Sequence, residues 1–385
     1  MKVLITQVWL DWPGGTETVV RDIAVGLLRR GHQPIVYSPK IGIVGQEIRR
    51  RGIPVVDDLR SIAEPPDVIH GQHYVETAQA IIHFPNVPAI NVCHAWEFWV
   101  ERPVKFPQVR KYVAVSAAIR DRLVQEEAIA PDRVIILPNA VDLLRIPQRK
   151  NALSPRPLRA ACFASAKAHV PVIASVCERN GIHFEPIGRC GDRLSSTIEK
   201  ELVDYDVVFA TGRSALEAAC CGCAVVVCDD RGCAGMLRMS NLDDYRRLNF
   251  ALRLLVYPTT EDRIQLALND YDPLDAAVVS TTLREKANLD LYLDQLLQIY
   301  EGVMTEDRTD FQGDVFRNSL LSFLHSALPR TSSDARWPWL VEREFFIGEI
   351  NRLDAELASH RAKRKPGFFR RAFHKFRSFK RRMWG

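Results

Sequence analysis

The 385-residue sequence predicts an α/β protein of two similar halves, each a parallel sheet wrapped by helices, followed by a helical extension. Three observations predict it. Short apolar runs alternate with helical patterns from the start to about residue 145, a polar stretch with three prolines at 147–157 interrupts them, and the alternation then restarts as far as about residue 304. The length is about twice that of a common single domain. The expected divisions are therefore 1–150, 151–304 and an extension over 305–385.

Taken in order, Val3-Leu4-Ile5 is a strand, followed by the turn Trp12-Pro13-Gly14-Gly15 and a helix from Glu17 to Arg30. That helix has Val20, Ile23, Ala24, Leu27 and Leu28 on one face and stops at Gly31. Strands are expected at Ile35–Tyr37, Val55-Val56, Asp67–His70, Ala89–Val92, Tyr112–Val115 and Val134–Leu137, with helices around 46–51, after Val75 and over 117–127. In the second half, strands are expected at Leu158–Phe163, His183–Ile187, Asp206–Phe209 and Ala224–Cys228, with helices at Val170–Arg179 and Ser214–Cys220. A long helix from about Leu283 to Met304 carries Leu289, Tyr292, Leu293, Leu296, Leu297 and Tyr300 at helical spacing and is expected to close the second half. Beyond 305 the alternation ends, and Trp337–Ser359 reads as one more amphipathic helix.

Composition narrows the function. With 47% hydrophobic and 26% charged residues the chain is an ordinary folded protein, which excludes disordered and collagen-like classes. The first apolar run is shorter than the ~7–15 residues of a signal h-region. No run reaches the ~18 apolar residues of a spanning helix. A cytoplasmic protein is expected, unless a surface holds it. The net charge of +5 divides unevenly, since residues 361–385 hold 11 Lys or Arg and no acid, leaving 41 basic against 47 acidic residues in the rest. In that tail Phe369, Phe373, Phe376 and Met383 fall at helical spacing among basic residues, the pattern of a helix lying on an anionic membrane surface. An acidic body with no recognised nucleic-acid fold argues against nucleic acid as the partner.

Nine cysteines include Cys220 and Cys223 at C-x-x-C spacing, but no second pair of Cys or His follows to complete a zinc site. They run into the apolar strand Ala224–Cys228 and read as reduced core thiols; no metal is expected.

The turn Gly14-Gly15-Thr16-Glu17 stands where a strand hands over to a helix, so its backbone N–H groups can meet an anion; an ordinary tight turn explains the glycines equally. The G-x-G-x-x-G fingerprint of dinucleotide enzymes is absent, which ranks a nicotinamide-dependent dehydrogenase last.

In order and spacing, several segments resemble the retaining family 4 glycosyltransferases. They are Gly14–Glu17 with the helix end Arg29-Arg30-Gly31-His32, Asp67–His70, Cys93-His94-Ala95-Trp96, Tyr112–Ser116, Pro138-Asn139-Ala140-Val141-Asp142, and Ala215–Val226. The resemblance spans roughly 1–304. It implies the GT-B fold, in which two Rossmann-like domains face each other across a cleft, the first taking an acceptor and the second a nucleotide-sugar donor. It also implies that Glu217 accepts hydrogen bonds from the donor ribose, a role suited to two carboxylate oxygens, and that His94 lies under the donor sugar. Lys167 is the candidate to neutralise the leaving diphosphate. No cofactor is implied, because protein charge takes the place of a divalent ion.

Two departures stand out. The family's first Glu, eight positions before Glu217, is Phe209 here, and its Arg, five before Lys167, is Cys162. Gly212-Arg213 is the expected substitute, its guanidinium forking onto phosphate or sugar oxygens at a helix N-terminus. The loop 230–236, with Gly235 and Met236, can cap the diphosphate through backbone amides; an ordinary glycine turn explains it equally. The expected function is transfer of a hexose from a UDP- or GDP-sugar to a glycan or lipid-linked acceptor in surface polysaccharide synthesis, with retention. A degenerate protein that binds nucleotide-sugar or glycan without turnover is the alternative.

Overall fold

The computed structural model describes residues 1–327 apart from 97, 165, 192–197, 309, 310 and 312. The chain forms two compact units, Met1–Leu320 and Leu321–Gly385. The helix expected at Trp337–Ser359 and the basic tail 361–385 lie outside the described residues.

Within the first unit, the first half is built on β1 (Lys2–Thr6), β2 (Gln33–Tyr37), β3 (Val55–Val56), β4 (Val68–Gln72), β5 (Ala89–Cys93), β6 (Val109–Ala114) and β7 (Val134–Ile136). They pair in parallel, in the order β3-β2-β1-β4-β5-β6-β7. Helices α1 (Gly15–Arg29), α2 (Ile43–Arg50), α3 (Tyr74–His83) and α4 (Ala117–Gln125) connect them. A parallel sheet covered on both faces needs apolar residues on both sides of each strand. This is why Val3, Leu4 and Ile5 are all fully buried and why continuous apolar runs marked the strands.

The second half follows the same plan with β8 (Arg159–Phe163), β9 (His183–Ile187), β10 (Val207–Ala210), β11 (Ala224–Asp229) and β12 (Gly232–Met236), in the order β12-β11-β10-β8-β9. Its helices are α5 (Val170–Arg179), α6 (Ile198–Glu201), α7 (Gly212–Cys221), α8 (Leu242–Arg247), α9 (Glu261–Asn269) and α10 (Pro273–Lys286). The GT-B reading of two facing parallel-sheet domains is what the structure has.

Two elements differ from expectation. The loop 230–236 is largely a strand, β12, which turns back antiparallel along β11 through Asp230-Arg231. The long helix at 283–304 is two helices, α10 and α11 (Leu289–Thr305), separated where Asn288 caps α11 by accepting from the Asp290 N–H at 2.9 Å. A further helix, α12 (Gly313–Ala327), follows.

The helix expected to close the second half packs instead on the first. Leu289 and Leu293 of α11 lie over Gly26 of α1, where any Cβ would collide with Leu293. Tyr300 Oη sits 2.6 Å from His70 Nδ1 of β4. Arg30 donates to Asp294 at 2.5 Å and to the Asp290 carbonyl at 2.7 Å. The chain thus passes between the halves twice, and the passages bond to each other: Val141 N–H donates to Ala287 O and Leu289 N–H to Val141 O, both at 2.9 Å.

Candidate functional site

Open parallel sheets bind ligands outside the carboxyl ends of their strands, at the point where strand order reverses. The first sheet reverses between β1 and β4 and the second between β8 and β10. The segments leaving those ends carry most of the residues singled out above.

At the β1 end, Gly14 caps α1 in an extended conformation and Gly15 opens the helix. Glu17 folds back over this start: Gln7 Nε2 donates to Thr16 Oγ1, and Thr16 Oγ1 to Glu17 Oε2, each at 3.1 Å. A Cβ on Gly14 would strike the Glu17 carboxylate, whereas one on Gly15 would meet nothing within 4 Å. The anion expected at Gly14 is therefore the chain's own buried carboxylate, placed where the helix dipole favours it, and Gly15 is the open position.

His94 leaves the end of β5. Its backbone N–H donates to Glu101 Oε2 at 2.7 Å, and its ring Nε2 meets Gln72 Oε1 at 3.1 Å. Gln72 Nε2 in turn meets His70 Nε2 at 3.1 Å, and His70 Nδ1 reaches Tyr300. An amide N–H₂ only donates and an amide oxygen only accepts, so this relay protonates His94 at Nε2, makes His70 Nε2 an acceptor and leaves His70 neutral with its proton on Nδ1. Burial holds the His94 ring down to about 4, with Glu101 opposing and His73 and Arg213 assisting. Burial, with His94 nearby, takes His70 down to about 3.

His73, at the β4 end, has φ 67 and ψ 151, a region that side chains rarely enter. Its buried ring accepts from the Val8 N–H at 3.2 Å and sets Nε2 3.6 Å from Glu101 Oε1. One strained residue thus stitches together the loops that follow β1, β4 and β5.

In the second half, Lys167 is exposed on the β8–α5 loop, beside the reversal point. Only Thr211 separates β10 from α7. Position 209, where the first Glu would stand, is therefore inside the strand. Phe209 pairs in register with Cys162, and both are fully buried, so the two places where the family carries charge form one apolar contact in the core.

Gly212 opens α7 at φ 58, with nothing within 4 Å of where a Cβ would stand, and donates its own N–H to Phe250 O at 2.8 Å. Arg213 behaves otherwise than expected. Its guanidinium is buried and donates to Asp22 of α1, to Glu217 Oε1 at 3.0 Å and to Ala140 O at 3.1 Å. Arg145 Nη2 joins at 2.5 Å from Glu217 Oε1 and 3.4 Å from Asp22 Oδ2, and Arg21 adds a 3.1 Å bond to Asp22. Burial alone would raise the Asp22 carboxyl, but Arg213, Arg145 and Arg21 outweigh it and hold it below the usual aspartate value. Glu217 is lowered in the same way, against burial, by Arg145 and Arg213. The fork expected to grip donor phosphate grips the facing domain instead. Asp22, Arg145, Arg213 and Glu217 make a buried ion cluster that joins α1 to α7.

Gly235 and Met236 also change place. They lie in β12, opposite Val227 and Val226, with Met236 buried, so they form a ladder and not a phosphate-capping loop. The loop is only the turn after Asp229. Asp229 accepts from Thr211 Oγ1 at 3.1 Å and from Arg231 Nη2 at 2.6 Å, which puts a buried acid beside the start of α7.

Comparison with known proteins bears on this geometry. Residues 13–145 match the model of the family described as Glycosyltransferase Family 4. The chain has the GT-B fold, and its residues 13–145 are similar to that family's domain. Its fold matches that of HepE from Anabaena, solved in complex with UDP and glucose, with a TM-score of 0.56 at 14% identity over 78% of this chain and 100% of the other. A glycosyltransferase from Rickettsia africae matches with a TM-score of 0.53 at 14% identity, over 80% and 99%. No curated protein sequence matches significantly.

This GT-B protein also holds residues that sequence reasoning passed over. Asp22 and Arg145 look like solvated charges in sequence, Asp229 like a strand end, and His73 and Glu101 like loop polars. Arg246 of α8 is a further case. Its Nη2 lies 3.4 Å from Pro138 O, its buried Nη1 has no hydrogen-bond partner among the described residues, and burial lowers its pKa to about 10. The only signal available was clustering of charge within otherwise apolar segments. All nine cysteines are buried and free of disulfides. Among the described residues no group of three or more His, Cys, Asp or Glu is placed to hold a metal ion, and no helix is long and apolar enough to cross a membrane.

Proposed function

We propose that this GT-B protein transfers a hexosyl group from a UDP- or GDP-sugar to a glycan or lipid-linked acceptor in surface polysaccharide synthesis, with retention at the anomeric carbon. The observation that carries the reading is the direct bond between α1 and α7 through Asp22 and Arg213, which brings the open Gly15 and Gly212 helix starts to one interface. HepE, of the same fold, holds UDP and glucose, and a donor of that kind is assigned to the second half here.

In this reading the diphosphate meets the Gly212 helix start and Lys167, whose positive charge lies where the leaving group gains negative charge. The ribose meets Glu217 once its carboxylate is shared with the cluster. His94, held neutral, offers a hydrogen-bonding ring to the sugar without repelling cationic groups nearby. The leaving phosphate itself supplies the base for a retaining transfer, so neither a metal nor a cofactor enters any step. Arg213 is a positioning residue. The basic segment 361–385 places the protein on the anionic inner face of the cell membrane, where a lipid-linked acceptor resides.

Binding without turnover is the second reading, favoured by the apolar Cys162–Phe209 pair and by the engagement of Glu217 within the chain. Incubating the full chain with a panel of nucleotide-sugars, with and without lipid-linked oligosaccharide, separates the two. Release of nucleoside diphosphate supports transfer; donor binding without release supports the second reading, and neither binding nor release removes both.

A further inference from the structure

We propose that the rim of the first half is a carbohydrate-stacking platform formed by Trp9, Trp12, Phe98 and Trp99, which holds sugar rings of the acceptor beside His94. The four side chains are 40%, 44%, 62% and 41% exposed, high values for large aromatic residues. They sit on the two segments, 7–14 and 94–105, that leave the carboxyl ends of β1 and β5, on the ligand-binding edge of the sheet.

The backbones beneath them are fixed. In the first segment fully buried Leu10 is the anchor: its N–H donates to Lys40 O at 2.8 Å, and its carbonyl accepts from the Val44 N–H at 3.1 Å. In the second, Arg122 Nη1 holds Ala95 O at 2.7 Å and Glu101 O at 3.2 Å, and Asn91 Oδ1 accepts from the Val104 N–H at 2.8 Å. His73 joins the two segments through Val8 and Glu101 at the cost of a strained backbone. A chain that spends strain and buried polar contacts to hold exposed rings still has made a preformed surface, and preformed surfaces lose little entropy on binding.

The chemistry of the rim selects its occupant. Flat indole and phenyl faces match the C–H faces of pyranose rings, and the polar groups of His94 and Asp11 next to them match hydroxyls. A membrane surface is the other class that takes exposed aromatics, but it also draws on cationic charge. With Glu101 buried, the two segments carry Asp11 and Glu97 against Arg102 and Lys105, so their charges balance and leave no basic excess. The platform is distinct from the basic tail in both composition and place in the chain.

This inference rests on the reading of the first half as the acceptor side, and the test separates the two. The full chain is labelled with 5-fluorotryptophan and titrated with trisaccharides of glucose, galactose, mannose and N-acetylglucosamine, and separately with phosphatidylglycerol vesicles. The expected result is a shift of the Trp9, Trp12 and Trp99 fluorine resonances by at least one trisaccharide. The Trp9→Ala/Trp99→Ala variant should then bind that sugar roughly tenfold more weakly, with UDP affinity unchanged. Silence of these resonances toward every trisaccharide overturns the platform, and so does a response to vesicles alone. Nucleoside diphosphate release that persists at wild-type KM for acceptor in the double variant also overturns it while leaving sugar transfer intact. Sugar binding with no release from any donor keeps the platform and removes the transfer reading.

Discussion

Replacing Asp22 with asparagine tests the buried ion cluster most directly. The Asp22 side chain is 3% exposed and takes hydrogen bonds from Arg213, Arg21 and Arg145. Asparagine keeps the shape and removes the charge, so Arg213 and Arg145 are left to share Glu217, with Glu199 at 3.5 Å from Arg145, and Arg21 keeps, among the described residues, only the half-exposed Glu47. Breaking a buried pair by neutralising one partner costs about 3–5 kcal/mol, because the remaining charge stays desolvated. For a protein of this size that corresponds to a fall of about 5 °C in melting temperature. The reasoning makes a second demand. In Asp22→Leu/Arg213→Met both charges leave together, Glu217 keeps Arg145 at 2.5 Å, and much of the lost stability should return. Thermal and urea unfolding at pH 7 measure both. A single-variant loss under about 1 kcal/mol, or a double variant no better than the single one, would refute the cluster as a buried, mutually dependent unit. The pH dependence has a fixed sign. The folded Asp22 value lies below its ordinary 3.8, so its contribution is present above that pH and is lost as pH falls through the lower folded value.

Three further outcomes are expected. His70 is held at about 3 in the fold against 6.5 when unfolded, so stability is full above pH 6.5 and falls as the unfolded chain takes up its proton; on the order of 2 kcal/mol should be gone by pH 5, read from urea midpoints, and weakened by His70→Asn. Gly232→Ala would place a Cβ 2.6 Å from Leu255 O and 2.7 Å from Tyr257 O, both backbone atoms that cannot swing away, and should destabilise by about 1–3 kcal/mol in urea unfolding. Lys167→Ala, at an exposed position, should leave the melting temperature nearly unchanged while lowering kcat for sugar transfer by roughly 10²-fold; an unchanged kcat removes Lys167 from the donor site.

Much of the fold could be read from the sequence because parallel strands buried on both faces leave continuous apolar runs, as at Val3–Ile5 and Ala224–Cys228. β12 left no such run: Gly232-Cys-Ala-Gly-Met reads as a loop because glycines have no side chain to mark a strand. The break between α10 and α11 was marked only by Asn288 as a cap, hidden inside an unbroken helical spacing. The destination of α11 was not readable at all. Its apolar face fits either half, and only Gly26, 267 residues before Leu293, prepares the surface it takes.

The placement of the candidate residues at strand ends was legible, but their pairing was not. Gly15, His94, Lys167 and Gly212 do leave strand ends at or next to the two reversal points. Arg213 and Glu217 were read as facing a ligand because their charge partners, Asp22 and Arg145, are 191 and 72 residues away in sequence. Local spacing contains no information about such distant encounters. Nor did spacing show that position 209, where the first Glu would stand, is a fully buried strand residue one connection away from α7.

The mutual bonding of the two interdomain passages at Val141 and Asn288 gives the chain a doubled tether. A protease that nicks the polar stretch 147–157 severs one passage, while the segment through Asn288 and the helix α11 docked on α1 still connects the halves. Such a nicked protein should migrate as two fragments after denaturation and yet sediment as a single particle before it.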